Sequence, residues 1–323
     1  MKVSVIIPTC QRPAYLLDVL ASVVAQDLPK DEYEILIVDN APQPTPELAA
    51  LGNPSSLPPI HYIFEPCNGL HNARHAGAER ACGDVLVYID DDVVCPSGWL
   101  AALLAPYTDP EVACVGGRIL PLYEVEPPAW LAGFSGFLSL LDRGNEVKEL
   151  YWPEDIYGCN FSIRKSALVE VGGFNPDSFG EQRLMWYRGD GETGLLFKIY
   201  TAGYKVVYTP HGWLYHRVPA NRMTVEYMAQ RAFNQALSDG FTAYRRRQDA
   251  PGRLLLKAMI WLLRSWLESF VGMLAGDNVQ RVQHQVKAAY WQGRACYNWH
   301  LLLFTDFRHY VTKGSFWRKC KRP

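Results

Sequence analysis

The sequence predicts an α/β protein with a mostly parallel central sheet flanked by helices, followed by a helical C-terminal extension. Three observations predict it. Short apolar runs alternate with helical patterns through residues 3–89, the strand–helix order that builds a parallel sheet. The apolar runs end in polar residues, as strands do where a sheet opens to ligand. Beyond residue 220 the strand-like runs stop and long helical patterns take over, which divides the chain into an α/β region, 1–220, and a mainly helical, basic region, 221–323.

Residues 3–7 read as the first strand, closed by Pro8. Residues 14–25 follow as a helix, with Leu16, Leu17 and Leu20 at helical spacing. Residues 34–38 are a second strand ending at Asp39. A proline-rich loop, 42–59, leads to a short strand near 61–64. Residues 72–81 form a second helix and 85–89 a further strand. Residues 161–163 and 204–210 are also strand-like, with a helix predicted over 194–202 between them.

At 323 residues, 49% apolar and 20% charged, the chain can bury a sizeable core. Its formal net charge of −1 hides an imbalance. Residues 225–323 carry 16 Lys/Arg against 6 Asp/Glu, and residues 1–224 carry 16 against 27. An acidic front is compatible with a metal-assisted site, and a basic, aromatic-rich back suits an anionic surface or partner. The 8 cysteines stand singly, with no zinc-like spacing. The apolar part of the N-terminus is too short for a signal peptide. Reduced thiols and a cytoplasmic location are expected, peripheral at the inner membrane face if the basic region meets lipid.

Asp90, Asp91 and Asp92 follow the apolar run 85–89. Three adjacent anions repel, so they stand either as a solvated acidic turn or around a hard divalent cation, Mn²⁺ or Mg²⁺. Pro8, Thr9 and Asp39 share their position at strand ends, and ligands of such sheets bind outside the carboxyl ends of the strands. That groups these residues into one site. The two common glycine-rich phosphate cradles are absent, so a bound diphosphate needs the metal and scattered cations. Arg12 and Arg74 are the candidates, although Arg74 reads equally well as a surface arginine.

Several segments resemble the family 2 inverting glycosyltransferases, which have the GT-A fold. They are Val3-Ser4-Val5-Ile6-Ile7-Pro8-Thr9 with Arg12, Val38-Asp39, Asn68-Gly69-Leu70 with Ala73-Arg74, Gly83-Asp84, Ile89-Asp90-Asp91-Asp92, and Gly172-Gly173-Phe174. The family usually has asparagine where His75 stands. The resemblance covers residues 1–216 in order. It implies a nucleotide-sugar donor, UDP-linked in the first reading, a divalent metal, and single-displacement transfer with inversion to a saccharide or glycolipid acceptor. Asp90 and Asp92 would hold the metal through the DxD motif. Asp39 would accept the uracil imide N–H, with Asp84 assisting the nucleotide pocket or capping a turn, and Asp91 touching ribose or tuning the site.

The resemblance places the catalytic base in Gly189-Asp190-Gly191-Glu192-Thr193-Gly194-Leu195. Glu192 takes the base position and Asp190 is the second choice, because the family's adjacent acidic pair is split by Gly191. The structural alternative for Glu192 is a first-turn helix carboxylate favoured by the dipole. His216 corresponds to a histidine that in related enzymes is sometimes a third metal ligand, and is otherwise structural. Asn160, in Gly158-Cys159-Asn160, resembles the acceptor-side segment. Trp130, Trp152 and Trp186 offer flat faces for a sugar ring, with packing as the equal alternative.

In the second half a helix is expected over 223–238, followed by the Arg245-Arg246-Arg247 cluster. Residues 254–275 are apolar over nearly a bilayer's thickness. Lys257, Arg264 and Glu268 fall on one stripe there, with Arg264 and Glu268 placed to pair. That fits peripheral membrane contact, or burial against the protein or another copy, better than a span. Residues 316–322 mix aromatics with four cations, and no nucleic-acid motif accompanies them. Two other readings of the chain remain: a sugar nucleotidyltransferase, and a non-catalytic saccharide-binding module on the same fold.

Overall fold

The computed structural model describes residues 2–10, 12–179 and 181–317. The cations expected in the tail, Arg318 to Arg322, lie outside the described residues. The chain opens with β1 (Val3–Thr9), α1 (Pro13–Val24), β2 (Tyr33–Asp39), α2 (Pro46–Ala49), β3 (Ile60–Phe64), α3 (Leu70–Arg80) and β4 (Val85–Ile89). β3, β2, β1 and β4 lie side by side in parallel. Every residue of β1 and β4 is buried, as expected for parallel strands covered on both faces.

After this half the sheet turns mixed. β5 (Val93–Val94), α4 (Trp99–Leu104), β6 (Val112–Tyr123), β7 (Lys148–Leu150) and β8 (Asn160–Arg164) come next. β8 runs antiparallel between β4 and β6. α5 (Lys165–Glu170), α6 (Gly191–Thr201) and β9 (Lys205–Val218) complete the core, β9 being parallel to β6 and antiparallel to β5 and β7. β9 extends well past its apolar stretch, so His216 stands inside a strand, opposite Val93, rather than after one.

Four helices follow: α7 (Val225–Arg247), α8 (Pro251–Leu274), α9 (Asn278–Leu303) and α10 (Thr305–Val311). They pack back onto the sheet domain. Trp130, Leu131, Phe134 and Leu138 of a 3-10 segment share a core with Met228 and Ala232 of α7 and Val282 and Val286 of α9. Trp317, the last described residue, is pinned as well. It stacks on His75 at 4.6 Å, and its indole N–H donates to Glu79 Oε1 at 2.8 Å.

The expected Arg264–Glu268 pair is not made. Glu268 meets His284 of α9 at 2.6 Å, and the Arg264 guanidinium lies over Trp261 and Trp291. The stacked indoles offer a face that a neighbouring carboxylate does not outbid.

Candidate active site

A cleft of about 850 Å³ opens where the carboxyl ends of β1, β2 and β4 meet α7. It is large enough for a cofactor-sized ligand. The carboxyl end of β1 supplies Pro8, Thr9 and, beyond it, Arg12, and the end of β4 supplies Asp90, Asp91 and Asp92. The three acidic residues divide their work. Asp91 is buried, accepts from Thr9 Oγ1 at 2.7 Å and lies 3.5 Å from Arg12. Burial and the neighbouring Asp92 charge push its pKa up to about 6.

Asp90, Asp92 and His216 place ligand atoms within 4.8 Å of one another. His216 Nδ1 lies 2.9 Å from the Leu138 carbonyl. A carbonyl only accepts, so Nδ1 carries the proton and Nε2 turns a lone pair toward Asp92 Oδ1, 3.2 Å away. That buried oxygen has no hydrogen-bond donor. On the neutral imidazole the Nε2 lone pair, which Arg222 Nη1 also approaches at 3.3 Å, faces that oxygen, and a proton or a bound cation between the two would relieve the contact. The residues therefore fit a hard divalent ion, with two carboxylates and one oriented imidazole. Asp92 Oδ2 is held by Arg222 at 2.7 Å and Arg12 at 3.2 Å. Burial opposes ionisation of Asp92, but a proton on His216 Nε2, donated to Asp92 and adding positive charge, together with the two arginines outweighs it and holds the carboxyl well below the usual range.

Deeper in the cleft Arg74 organises a second group. Its side chain is 1% exposed, so it is not a surface arginine. One guanidinium nitrogen meets Asp177 at 3.2 Å; the other meets Glu192 at 2.8 Å and approaches Asp90 at 4.0 Å. Glu192 stands in the first turn of α6 and lines the cleft, its side chain 23% exposed. Burial raises its pKa to about 7; Arg74 opposes the shift, while Asp177 adds to it. Asp177 is held below its ordinary value: burial works against this, and Arg74 and Arg188 prevail. The result is a carboxylate pair with one member ionised and the other poised near neutrality.

Gly158 makes room for this pair. A Cβ there would stand 1.9 Å from Glu192 Oε1 and 2.3 Å from an Arg74 Nη. His75, where the resembled family usually has asparagine, accepts the Phe174 N–H at 2.9 Å and so holds the turn after Gly172-Gly173. Asp190 accepts from Asn175 at 2.7 Å and from Thr242 of α7 at 2.7 Å. With both oxygens bonded it ties α6 to α7. The split acidic pair thus has a spatial explanation: Asp177, not Asp190, stands beside Glu192.

Ten of the expected residues line this one cleft: Pro8, Thr9, Arg12, Arg74, Asp90, Asp91, Asp92, Asp190, Glu192 and His216. Others do not. Asp39 is fully buried, and its carboxylate accepts from the N–H groups of Ala41 and Thr45 and from the Tyr62 hydroxyl. Its neighbour Asn40 faces the cleft instead. Asp84 precedes β4, so it stands exposed at the amino end of the sheet beside Lys2, opposite the site. Asn160 is buried, its amide spent on Trp99, Arg118 and Gly212. Trp130 packs on Phe134, Trp186 stacks on His300, and Trp152 contacts Phe197 and Arg246.

Sequence reading missed Asp155, Asp177, Arg222 and the α7 residues that wall the cleft, among them Tyr227, Arg231 and Asp239. Asp177 lies five residues past Gly172, close enough to the recognised turn to have been a candidate. Arg222 belongs to no motif and becomes visible only when β9 brings it to Asp92.

The sheet order, four parallel strands continued by a mixed half with helices on its faces, is that of a GT-A fold. A mannosyltransferase from Pyrobaculum calidifontis, solved with GDP-Man and Mn²⁺, shares the fold with a TM-score of 0.61 and 18% identity, over 92% of this chain and 87% of that one. Residues 4–172 match the family model for glycosyl transferase family 2, and the chain belongs to that family. The matched stretch includes Asp90–Asp92 and Arg74 but stops before Glu192, His216 and Arg222. The chain is 25% identical over 272 residues to the succinoglycan biosynthesis protein ExoM of Rhizobium meliloti, covering 83% of this chain and 80% of that protein. It is 26% identical over 244 residues to a glucosyl-dolichyl phosphate glucuronosyltransferase of Haloferax volcanii, covering 74% and 76%.

Proposed function

We propose that the enzyme transfers a sugar from a nucleoside-diphosphate donor to a hydroxyl of a lipid-linked saccharide, with inversion at the anomeric carbon. The observation that carries this is the meeting, in one cleft, of an acidic–histidine cluster and a carboxylate poised near pH 7. The name of the Haloferax relative, with its dolichyl phosphate, supports the lipid-linked acceptor. The choice of uracil leaned on Asp39, whose buried and fully bonded carboxylate withdraws that support. The proposal is therefore a nucleoside-diphosphate sugar whose base a donor screen must identify.

Asp90, Asp92 and His216 would hold Mn²⁺ or Mg²⁺, which when bound supplies Lewis-acid stabilisation of charge on the departing diphosphate. Arg12 and Arg222 place two further cations at the same wall of the cleft. Glu192 accepts the proton of the acceptor hydroxyl as its oxygen bonds to the anomeric carbon and the bond to the phosphate oxygen breaks. Attack opposite the leaving group inverts the configuration. Arg74 fixes the direction of the Glu192 carboxylate, and Asp177 keeps its proton affinity high.

The test is nucleoside-diphosphate release across a panel of UDP- and GDP-sugars, with Mn²⁺ and with EDTA, and NMR assignment of the product anomer. Metal-dependent release with an inverted product is expected. Release unchanged by EDTA, by Asp92→Ala and by Glu192→Gln would overturn the assigned roles.

A further inference from the structure

α8 presents an apolar face that nothing among the described residues covers. Leu256, Met259, Leu263, Trp266, Phe270 and Met273 are each 44% to 73% exposed. At roughly 100° per residue they share one side of the helix. The other side is spent on packing: Leu254, Ala258 and Gly272 are buried, Leu254 in a core with Tyr297 and Leu301 of α9. Single exposed apolar residues are ordinary on a protein surface, but a continuous row of this length is not. Trp266 and Phe270 stack on each other at 5.7 Å, which makes the middle of the row one broad aromatic surface.

Cations border this face. Between residues 245 and 264 there are six Lys/Arg and one acid, Asp249. Asp249 is buried and already met by Arg253 and Lys257. Arg247 is exposed at the end of α7, just before α8 begins, and Arg253 is 67% exposed, whereas the Arg246 guanidinium lies over Trp152 and Phe197. On the helix circumference Arg253 and Arg264 fall at the edge of the apolar side. No described helix is long and apolar enough to cross a membrane.

We infer that this face docks on an anionic lipid bilayer, with the α8 axis in the membrane plane. The charge pattern selects that occupant. Pairing with a second copy through the same patch would bring equivalent basic edges together across a two-fold axis, where like charges oppose contact. An anionic bilayer offers hydrocarbon to the centre of the face and opposite charge to its rim. Such docking depends on surface chemistry alone, whether or not the transfer reaction is as proposed.

The full-length protein is pelleted with phosphatidylcholine vesicles and with vesicles of phosphatidylcholine and phosphatidylglycerol, and its mass in free solution is measured by sedimentation equilibrium. Strong pelleting with the anionic vesicles alone is expected, falling at least tenfold in Leu263→Glu/Trp266→Glu. A separate Arg253→Glu/Arg264→Glu variant, which leaves the apolar face intact, should lose most of the preference for anionic lipid. Matched circular dichroism melts confirm that each variant is folded. Wild-type protein that stays in the supernatant with both vesicle types overturns the proposal. So does a wild-type dimer that Leu263→Glu/Trp266→Glu converts to monomer without any vesicle binding, which would assign the face to a second copy.

Discussion

At the scale of single residues, Glu192 carries the most specific expectation. Its pKa is raised to about 7 by burial and by Asp177, against the pull of Arg74. The base must be unprotonated to act, so the rate should rise with pH through about 7 and then level. Glu192→Gln should lower kcat on the order of 10²–10⁴-fold with little change in donor KM. Asp177→Asn removes the like charge, so the acid limb of the pH profile should move to lower pH. A profile that stays in place would separate Asp177 from the base. Asp92→Asn should weaken Mn²⁺ dependence and thermal stabilisation by Mn²⁺ together, because the orphaned Oδ1 is the atom best placed for an ion. Equal stabilisation of wild type and variant by Mn²⁺ would place the ion elsewhere.

Among the elements, the ends of β1 and β4 were readable because an apolar run followed by polar residues has one physical meaning in a parallel sheet. The family resemblance, rather than this logic, pointed to Asp84 for the nucleotide pocket, with a turn cap as the alternative. Asp84 sits beside an apolar run too, but before it, and the amino end of a strand faces away from the site. The acceptor-side aromatics were not readable: a tryptophan looks alike in sequence whether it faces a sugar or, like Trp130, a neighbouring phenylalanine. Gly158 was marked only as the opening of the acceptor-side segment, not for the room it leaves: its missing side chain is what lets the segment before β8 lie against Glu192 and Arg74. Gly158→Ala should displace the carboxylate and cost on the order of 10² in kcat while leaving the Mn²⁺ response intact, since such losses follow from small misplacements. Unchanged kcat, measured at saturating donor, would show that the pair tolerates the shift. Arg74→Lys should cost activity despite keeping the charge, because Arg74 uses separate nitrogens for Asp177 and Glu192 and an ammonium offers no such fork.

For the whole molecule, the boundary drawn near residue 220 follows a change of composition rather than a gap in packing. α7 walls the cleft with Tyr227, Arg231 and Asp239, and Thr242 satisfies one oxygen of buried Asp190. The aromatic 3-10 segment of the first region is covered by α7 and α9. None of this is legible from composition, because a contact between distant segments leaves no local periodicity. It predicts that residues 1–220 alone will not behave as a compact unit. Removing the helices uncovers Trp130, Leu131, Phe134 and Leu138, a contiguous apolar patch of the kind that drives association. It also leaves a buried carboxylate short of a donor, which is costly in itself. The fragment should elute as aggregate by size exclusion, bind a hydrophobic dye, and show no stabilisation by donor and Mn²⁺, whereas the full chain elutes as a discrete species and is stabilised. A fragment that melts cooperatively and is stabilised by donor would make the helices an appended domain, and would confine the site to the sheet and its loops.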